Sequence, residues 1–142
     1  MKPSELAAVV GVVHPDANAA GAYSTAWCSL RTFNAVLAIV MAGTLGSGGT
    51  VDAKLEQATD ASGTGAKDIS GKAITQLAAS DKQALVQCRG DELDAQNGYT
   101  HARLTVTVGT ATSDCSALLL GFAADGAVAS DHDAASVDEI VL

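Results

Sequence analysis

The sequence has little of what many ligand-binding functions need. Aromatic residues make up only 4% of its 142 residues, which leaves few flat rings for stacking on bases or sugars. It has 8 basic residues against 16 acidic ones, for a net charge of −8. Such a chain lacks the basic surface that binds nucleic acid or an anionic membrane. No apolar run approaches the roughly 18 residues of a membrane span. We therefore expect neither a nucleic-acid nor a membrane partner.

Motifs for catalysis are also missing. His14, His101 and His132 stand in unrelated contexts, and neither an HExxH nor a GxSxG motif occurs. The glycine-containing segments at residues 47–49 and 62–65 lack the spacing and the lysine of a phosphate-binding loop, so they are better explained as turns. We expect no enzymatic activity, no catalytic residues and no cofactor.

Two acidic clusters are candidates for a metal site or a catalytic site. Asp131, His132 and Asp133 carry ligand atoms, but neighbouring side chains of an extended segment point to alternate sides. At most two of them could then reach one ion, so no metal site is predicted. Glu92 and Asp94 are better explained as part of a solvated face than as a pair of catalytic carboxylates.

The three cysteines, Cys28, Cys88 and Cys115, are far apart and form no CxxC pair, which argues against a zinc site. Their neighbours within the predicted strands are small and apolar, which favours buried free thiols. The alternative is a disulfide between subunits, because an odd number of cysteines in a protein that ends outside the cell favours intermolecular pairing.

The sequence is rich in segments whose side chains alternate between the two sides of a strand. The central stretch, residues 33–58, reads FNAVLAIVMAGTL, GSGG and TVDAKLEQA. Its first half is apolar on both sides and its second half on one side only, which predicts a β-hairpin whose first strand is covered on both faces. Residues 99–110 form the clearest one-sided strand, and residues 115–122 are predicted as its partner.

Shorter strands are predicted at residues 23–30, 73–77 and 84–88. For the last of these, a helix capped by Ser80 is the alternative. Six to eight short strands separated by Gly, Ser and Asp turns, without a long helix, predict an all-β fold, either a β-sandwich or a jelly roll.

Both ends of the chain are predicted to be arms on a sandwich domain of residues 23–126. Residues 1–22 form the N-terminal arm, in which a short helix or an edge strand are the alternatives. Residues 127–142 form a polar C-terminal arm that ends in three apolar residues, Ile140, Val141 and Leu142. Because large apolar side chains are costly to leave in water, we expect this end to contact a neighbouring subunit.

Most of residues 15–141 resembles a family of small structural proteins of tailed bacteriophages and prophages. The resemblance rests on a W-x-x-x-x-x-F entry into the central stretch, on VDAKLEQATDASGTGAKDI, on an ELD turn and on GYTHARLTVTVG. It implies a jelly-roll or β-sandwich virion component that decorates or cements the head, or a neck-associated subunit. The implied partners are further copies of the chain and the major capsid protein or neck proteins. The cysteines depart from the small aliphatic residues that are usual in the family.

The function predicted from the sequence is therefore that of a non-enzymatic structural subunit in the head or neck of a phage particle. A carbohydrate-binding β-sandwich remains the alternative from another class, and it would expose several aromatic rings on one face.

Overall fold

The computed structural model describes residues 1–141, and most of its regular structure is antiparallel strand. A short helix, α1 (Pro3–Leu6), precedes the strands, and 3-10 turns occupy Gly90–Glu92, Ala95–Asn97 and Ala129–Asp131. The strands of residues 1–141 are β1 (Ala8–Asn18), β2 (Gly21–Ser24), β3 (Cys28–Ser29), β4 (Ala35–Ala42), β5 (Thr50–Ala58), β6 (Lys67–Ala73), β7 (Gln83–Arg89), β8 (His101–Gly109) and β9 (Ser113–Phe122). None of the described helices is long and apolar enough to cross a membrane.

The strands form two antiparallel sheets that pack against each other. The first sheet has the order β1-β9-β4-β7 and the second has the order β2-β8-β5-β6. β2 and β3 both pair with β8, so they act as one strand interrupted near Thr25, whose hydroxyl accepts a hydrogen bond from the Leu104 amide at 3.1 Å. With these two counted as one, eight strands remain, and every connection except β5–β6 passes from one sheet to the other. This is a jelly roll, and the predicted all-β fold is confirmed.

The inward faces of the two sheets make the core. Alternate residues of β4, β5 and β8 are buried, as the period of two requires. Leu55, Leu104 and Leu119 are fully buried, and each contributes roughly 1.5–3 kcal/mol to folding. Many neighbouring core positions are alanine or valine, which keeps the core thin between the two backbones.

The expected central hairpin is wrong, although both of its strands exist. β4 pairs with β7 and β9 in the first sheet, and β5 pairs with β6 and β8 in the second. The connecting loop, residues 43–49, turns back through the Gly49 amide, which donates to the Gly46 carbonyl at 2.8 Å. The same correction applies to β8 and β9. A glycine-rich reversal shows that the chain turns, but it does not show whether the next strand joins the same sheet.

The three shorter predicted strands have different outcomes, and the one at residues 23–30 is divided into β2 and β3. Residues 84–88 lie in β7 as predicted, and the helix alternative is wrong because Cys88 pairs with Val36 in a regular ladder. The strand expected at residues 73–77 lies earlier, at β6, and Leu77 makes only an isolated bridge to Val51.

The N-terminal residues are part of the sandwich. Residues 8–18, assigned above to an arm, form β1, which pairs with β9 along the edge of the first sheet. This is the edge-strand alternative. The pairing places the apolar residues of β1 against those of β9, with Val12 opposite Leu118, and this explains why the segment is ordered as a strand.

Candidate assembly surface

The outer face of the first sheet is apolar. In β4, Val36, Ala38 and Val40 are buried in the core, and the residues between them point away from it. The register of the sheet then brings large aliphatic side chains together across four strands. We call this surface the apolar face, and it consists of Val9, Val12, Leu37, Ile39, Met41, Leu85, Leu118 and Leu120.

The apolar face is open to solvent at its centre and along one side. Ile39 lies opposite Leu118 on β9 and opposite Leu85 on β7. Leu85 is 60% exposed, Met41 is 49% exposed and Leu118 is 39% exposed. The sequence predicted that this first strand is covered on both faces. The second sheet covers its inner face, and no described segment covers these three side chains on its outer face.

The outer face of the second sheet is charged, in contrast to the apolar face of the first sheet. Glu56 on β5 accepts hydrogen bonds from the Arg103 guanidinium at 3.1 Å and from the Thr105 hydroxyl. Lys54 forms an ion pair with Asp68 at 2.8 Å. The two faces of the sandwich therefore differ in chemistry, because one presents paired charges and the other presents aliphatic side chains.

Three of the five aromatic rings are covered by other side chains or buried. The Arg103 guanidinium lies 4.5 Å from the centre of the Trp27 ring, and the Lys67 ammonium lies 4.3 Å from the centre of the Tyr99 ring. Phe33 is buried. A carbohydrate-binding surface needs rings with uncovered faces, so this arrangement does not favour that alternative.

The histidines are spread over the molecule. His14 is exposed on β1, and the Nδ1 atom of His101 lies 2.8 Å from the Thr100 hydroxyl. His132 is buried, where its Nδ1 accepts from the Val9 amide at 3.1 Å. Residues 1–141 contain no group of three His, Cys, Asp or Glu side chains that could hold a metal ion.

Glu92 and Asp94, the candidate carboxylate pair, are bound by backbone and side-chain groups. The Arg89 amide and the Lys72 ammonium bind Glu92 and hold the pKa of its carboxyl below the usual value. For Asp94, the Lys67 ammonium at 2.6 Å and then the Asn97 amide lower the pKa in the same way. These bonds stabilise the charged carboxylates, and both side chains take part in structural ion pairs.

The carboxylates on either side of His132 accept hydrogen bonds from nearby backbone amides. Asp131 accepts from the Val128 amide at 2.8 Å, and Asp133 accepts from the Ala135 amide at 3.1 Å. These contacts shape the turns of the C-terminal segment.

All three cysteines are free thiols at buried positions. Cys28, Cys88 and Cys115 are 5%, 1% and 4% exposed. Burial raises the pKa of the Cys28 thiol to about 12. Burial, with a contribution from the Glu92 carboxylate, raises the pKa of Cys88 to about 11. A disulfide between subunits stays a prediction, and it requires one of these strands to open first.

The C-terminal segment lies on its own domain over much of its length, which differs from the arm that was expected from residue 127 onward. The Ala127 amide donates to the Glu5 carbonyl at 2.6 Å, and the Asp133 amide donates to the Val9 carbonyl at 2.7 Å. β1 is an edge strand whose backbone groups need partners, and the segment supplies them at Val9.

The apolar end of the chain follows this covered segment. Ile140 is half-buried and lines a surface depression together with Met1 and Val128. Val141 is 83% exposed, and Leu142 lies outside the described residues. The contact of these three residues with a neighbouring subunit stays a prediction.

The sequence matches no family model and no curated protein. The chain is similar, at low sequence identity, to several solved structures. A chain of the cowpea mosaic virus empty virus-like particle has a TM-score of 0.48 at 10% identity, over 91% of this chain and 86% of that chain. A chain of broad bean stain virus has a TM-score of 0.42 at 15% identity, over 79% and 62%. The xylan-binding module CBM15 has a TM-score of 0.39 at 10% identity, over 83% and 90%. Likeness at this level carries no functional argument, and the jelly-roll assignment rests on the strand order itself.

Proposed function

We propose that this protein is a non-enzymatic structural subunit of a virus particle, a decoration or cement subunit on the head of a tailed bacteriophage. The observation that carries the proposal is the apolar face, which gives the protein a surface for contact with another subunit. The sequence resemblance supplies the setting, and the jelly-roll strand order agrees with it.

The energetics of the apolar face support a function based on contact. Met41, Leu85 and Leu118 are between 39% and 60% exposed. Completing their burial against a partner contributes roughly 2–4 kcal/mol, from about 1.5–3 kcal/mol for each fully buried side chain of this size. That is a substantial part of the stability of a domain, and the rest of the face adds to it.

The alternatives differ in where they place the chain or in what it binds. A neck-associated subunit would use the same apolar contacts, so only its position in the particle separates it from a decoration subunit. A carbohydrate-binding module would need uncovered rings, whereas Trp27 and Tyr99 each have a cation over the ring.

Purified particles test the proposal. An antibody against this chain is expected to label the head, and particles from a deletion mutant are expected to lose that label and to release DNA at a lower temperature. Labelling confined to the neck would support the neck alternative. Deletion particles that match wild-type particles in composition and in thermal stability would contradict the proposal.

A further inference from the structure

We propose that the apolar face binds the apolar face of a second copy, so that two first sheets pack face to face in a two-fold dimer. The inference rests on the proposed function and deepens it, because it names the surface and the partner of one of its contacts. Four features of the face support this partner: its size, its lack of charge, its composition and the position of its central residues.

The size of the face fits a small specific interface. Strands lie about 4.8 Å apart and rise about 3.3 Å per residue, so four strands of six residues cover roughly 19 by 20 Å. Two such faces bury about 800 Å² of flat area, and the protruding leucine side chains raise the accessible area above that figure. The paired face therefore lies near the threshold of about 1,000 Å² that separates specific interfaces from incidental contacts.

Because the apolar face carries no charge, two copies of this strongly acidic chain can associate through it. The chain carries a net charge of −8, so two copies repel each other over most of their surfaces. The eight side chains of the apolar face are uncharged, and the polar residues between them are Gln83, Gln87 and Ser116. The charged residues Arg89 and Asp114 lie at opposite ends of the face. Contact through this face keeps like charges outside the interface.

The composition of the face favours a second copy over a different protein. Interfaces between identical subunits are more apolar than those between different proteins, whose specific contacts rely on aromatic residues, arginine and complementary charges. The apolar face consists of Val, Leu, Ile and Met side chains without charged members, and Phe122 is the one aromatic residue of the described sheet that borders it, at the end beside Ala35. A self-complementary aliphatic surface is what an isologous interface requires.

The geometry repeats the packing that already holds the domain together. Sheets with aliphatic faces pack about 10 Å apart, as the two sheets of one sandwich do. Ile39 and Leu118 lie opposite each other on the two central strands, β4 and β9, at the middle of the face. A two-fold axis through that point brings each of these residues close to its own copy in the partner.

Sedimentation equilibrium tests the dimer directly. The purified chain is expected to move from the monomer mass of 14.2 kDa toward twice that mass with rising concentration. Leu118→Lys is expected to raise the dimer dissociation constant roughly 100-fold or more, because each dimer loses two buried leucines and gains two charges at its centre. Thr107→Lys is the matched control, since Thr107 is exposed on β8 in the other sheet. It is expected to leave the dimer unchanged.

A cross-link identifies the surface in contact. Leu118→Cys is expected to form a disulfide between copies under mild oxidation, and Thr107→Cys is expected to remain monomeric on a non-reducing gel. The native thiols do not compete, since all three are buried. A monomer at every concentration from about 10 µM to 1 mM would overturn the inference, as would equal dimerisation of the two lysine variants.

The same samples separate this inference from the proposed function. Circular dichroism and thermal unfolding of Leu118→Lys show whether the variant is folded, and a folded monomer is expected. Wild-type protein that is found on particles but stays monomeric in solution overturns the dimer and leaves the structural function standing. A dimer that is absent from particles overturns the function instead.

Discussion

Replacing His132 with alanine should loosen the C-terminal segment from the edge of β1. His132 is only 9% exposed, and its ring joins two parts of the N-terminal region. Nδ1 accepts a hydrogen bond from the Val9 amide at 3.1 Å, so the ring proton is on Nε2, which lies 3.0 Å from the Ser4 carbonyl and donates to it. The substitution removes both bonds and leaves a partly buried amide without its acceptor.

The expected cost follows from these two bonds. An unsatisfied buried amide costs about 1–3 kcal/mol, and the lost ring packing adds to that figure. For a chain of this size, the melting temperature falls by roughly 2–4 °C for each kcal/mol, so we expect a decrease of about 2–12 °C. His132→Phe retains most of the packing and loses the bonds, so it should lie between alanine and the wild type.

Thermal unfolding and amide hydrogen exchange measure the two effects separately. The Val9 amide should exchange much faster in His132→Ala, because its protection depends on the ring. His14→Ala is the control, since His14 is exposed on the same strand, and it should change stability by less than about 0.5 kcal/mol. If both alanine variants unfold at the wild-type temperature and Val9 stays protected, the C-terminal segment does not secure β1.

Three further predictions concern the core and the chain end. Burial holds the pKa values of Cys28 and Cys88 near 12 and 11, so both thiols should resist iodoacetamide at pH 8 until the chain unfolds; rapid modification of native protein would contradict their placement. Gly121→Ala places a methyl group 2.8 Å from the Phe33 ring and should cost about 1–3 kcal/mol in chemical denaturation. A smaller side chain in place of Phe33 should restore part of that loss, and the absence of any coupling would count against this packing. Deleting residues 138–142 removes no backbone hydrogen bond of the described chain and should lower the melting temperature by less than about 4 °C; a fall above 10 °C would show that this end belongs to the core.

Much of the strand content could be predicted from the sequence, because alternation is a local property. Val51, Ala53 and Leu55 repeat with a period of two, and the structure buries all three. The apolar pattern on both sides of β4 also has a physical meaning, since it produces the apolar face. Whether that face is covered depends on another molecule, which the sequence of one chain does not describe.

The pairing of the strands could not be predicted in the same way. β4 and β5 adjoin in sequence, yet they lie in different sheets, because the loop of residues 43–49 crosses between them. The position of β6 was missed for a related reason. Its sequence, KDISGKA, contains charges and a glycine, which are typical of an edge strand and weaken the alternation.

The docking of the C-terminal segment depends on contacts between distant parts of the chain. His132 binds Val9 across 123 positions and Ser4 across 128 positions. The polar segment with its one histidine predicts, from local pattern alone, an arm that contacts a neighbouring subunit. That pattern could not show that the edge of β1 has backbone groups that this histidine satisfies.

The most direct test of the central claim is the protein content of purified phage particles. Mass spectrometry of particles from cells that produce this protein should find it in a constant number of copies per major capsid protein, and antibody labelling should place it on the head. If the protein is abundant in the lysate but absent from particles that are complete and infectious, it is not a structural subunit of the virion and the account is wrong.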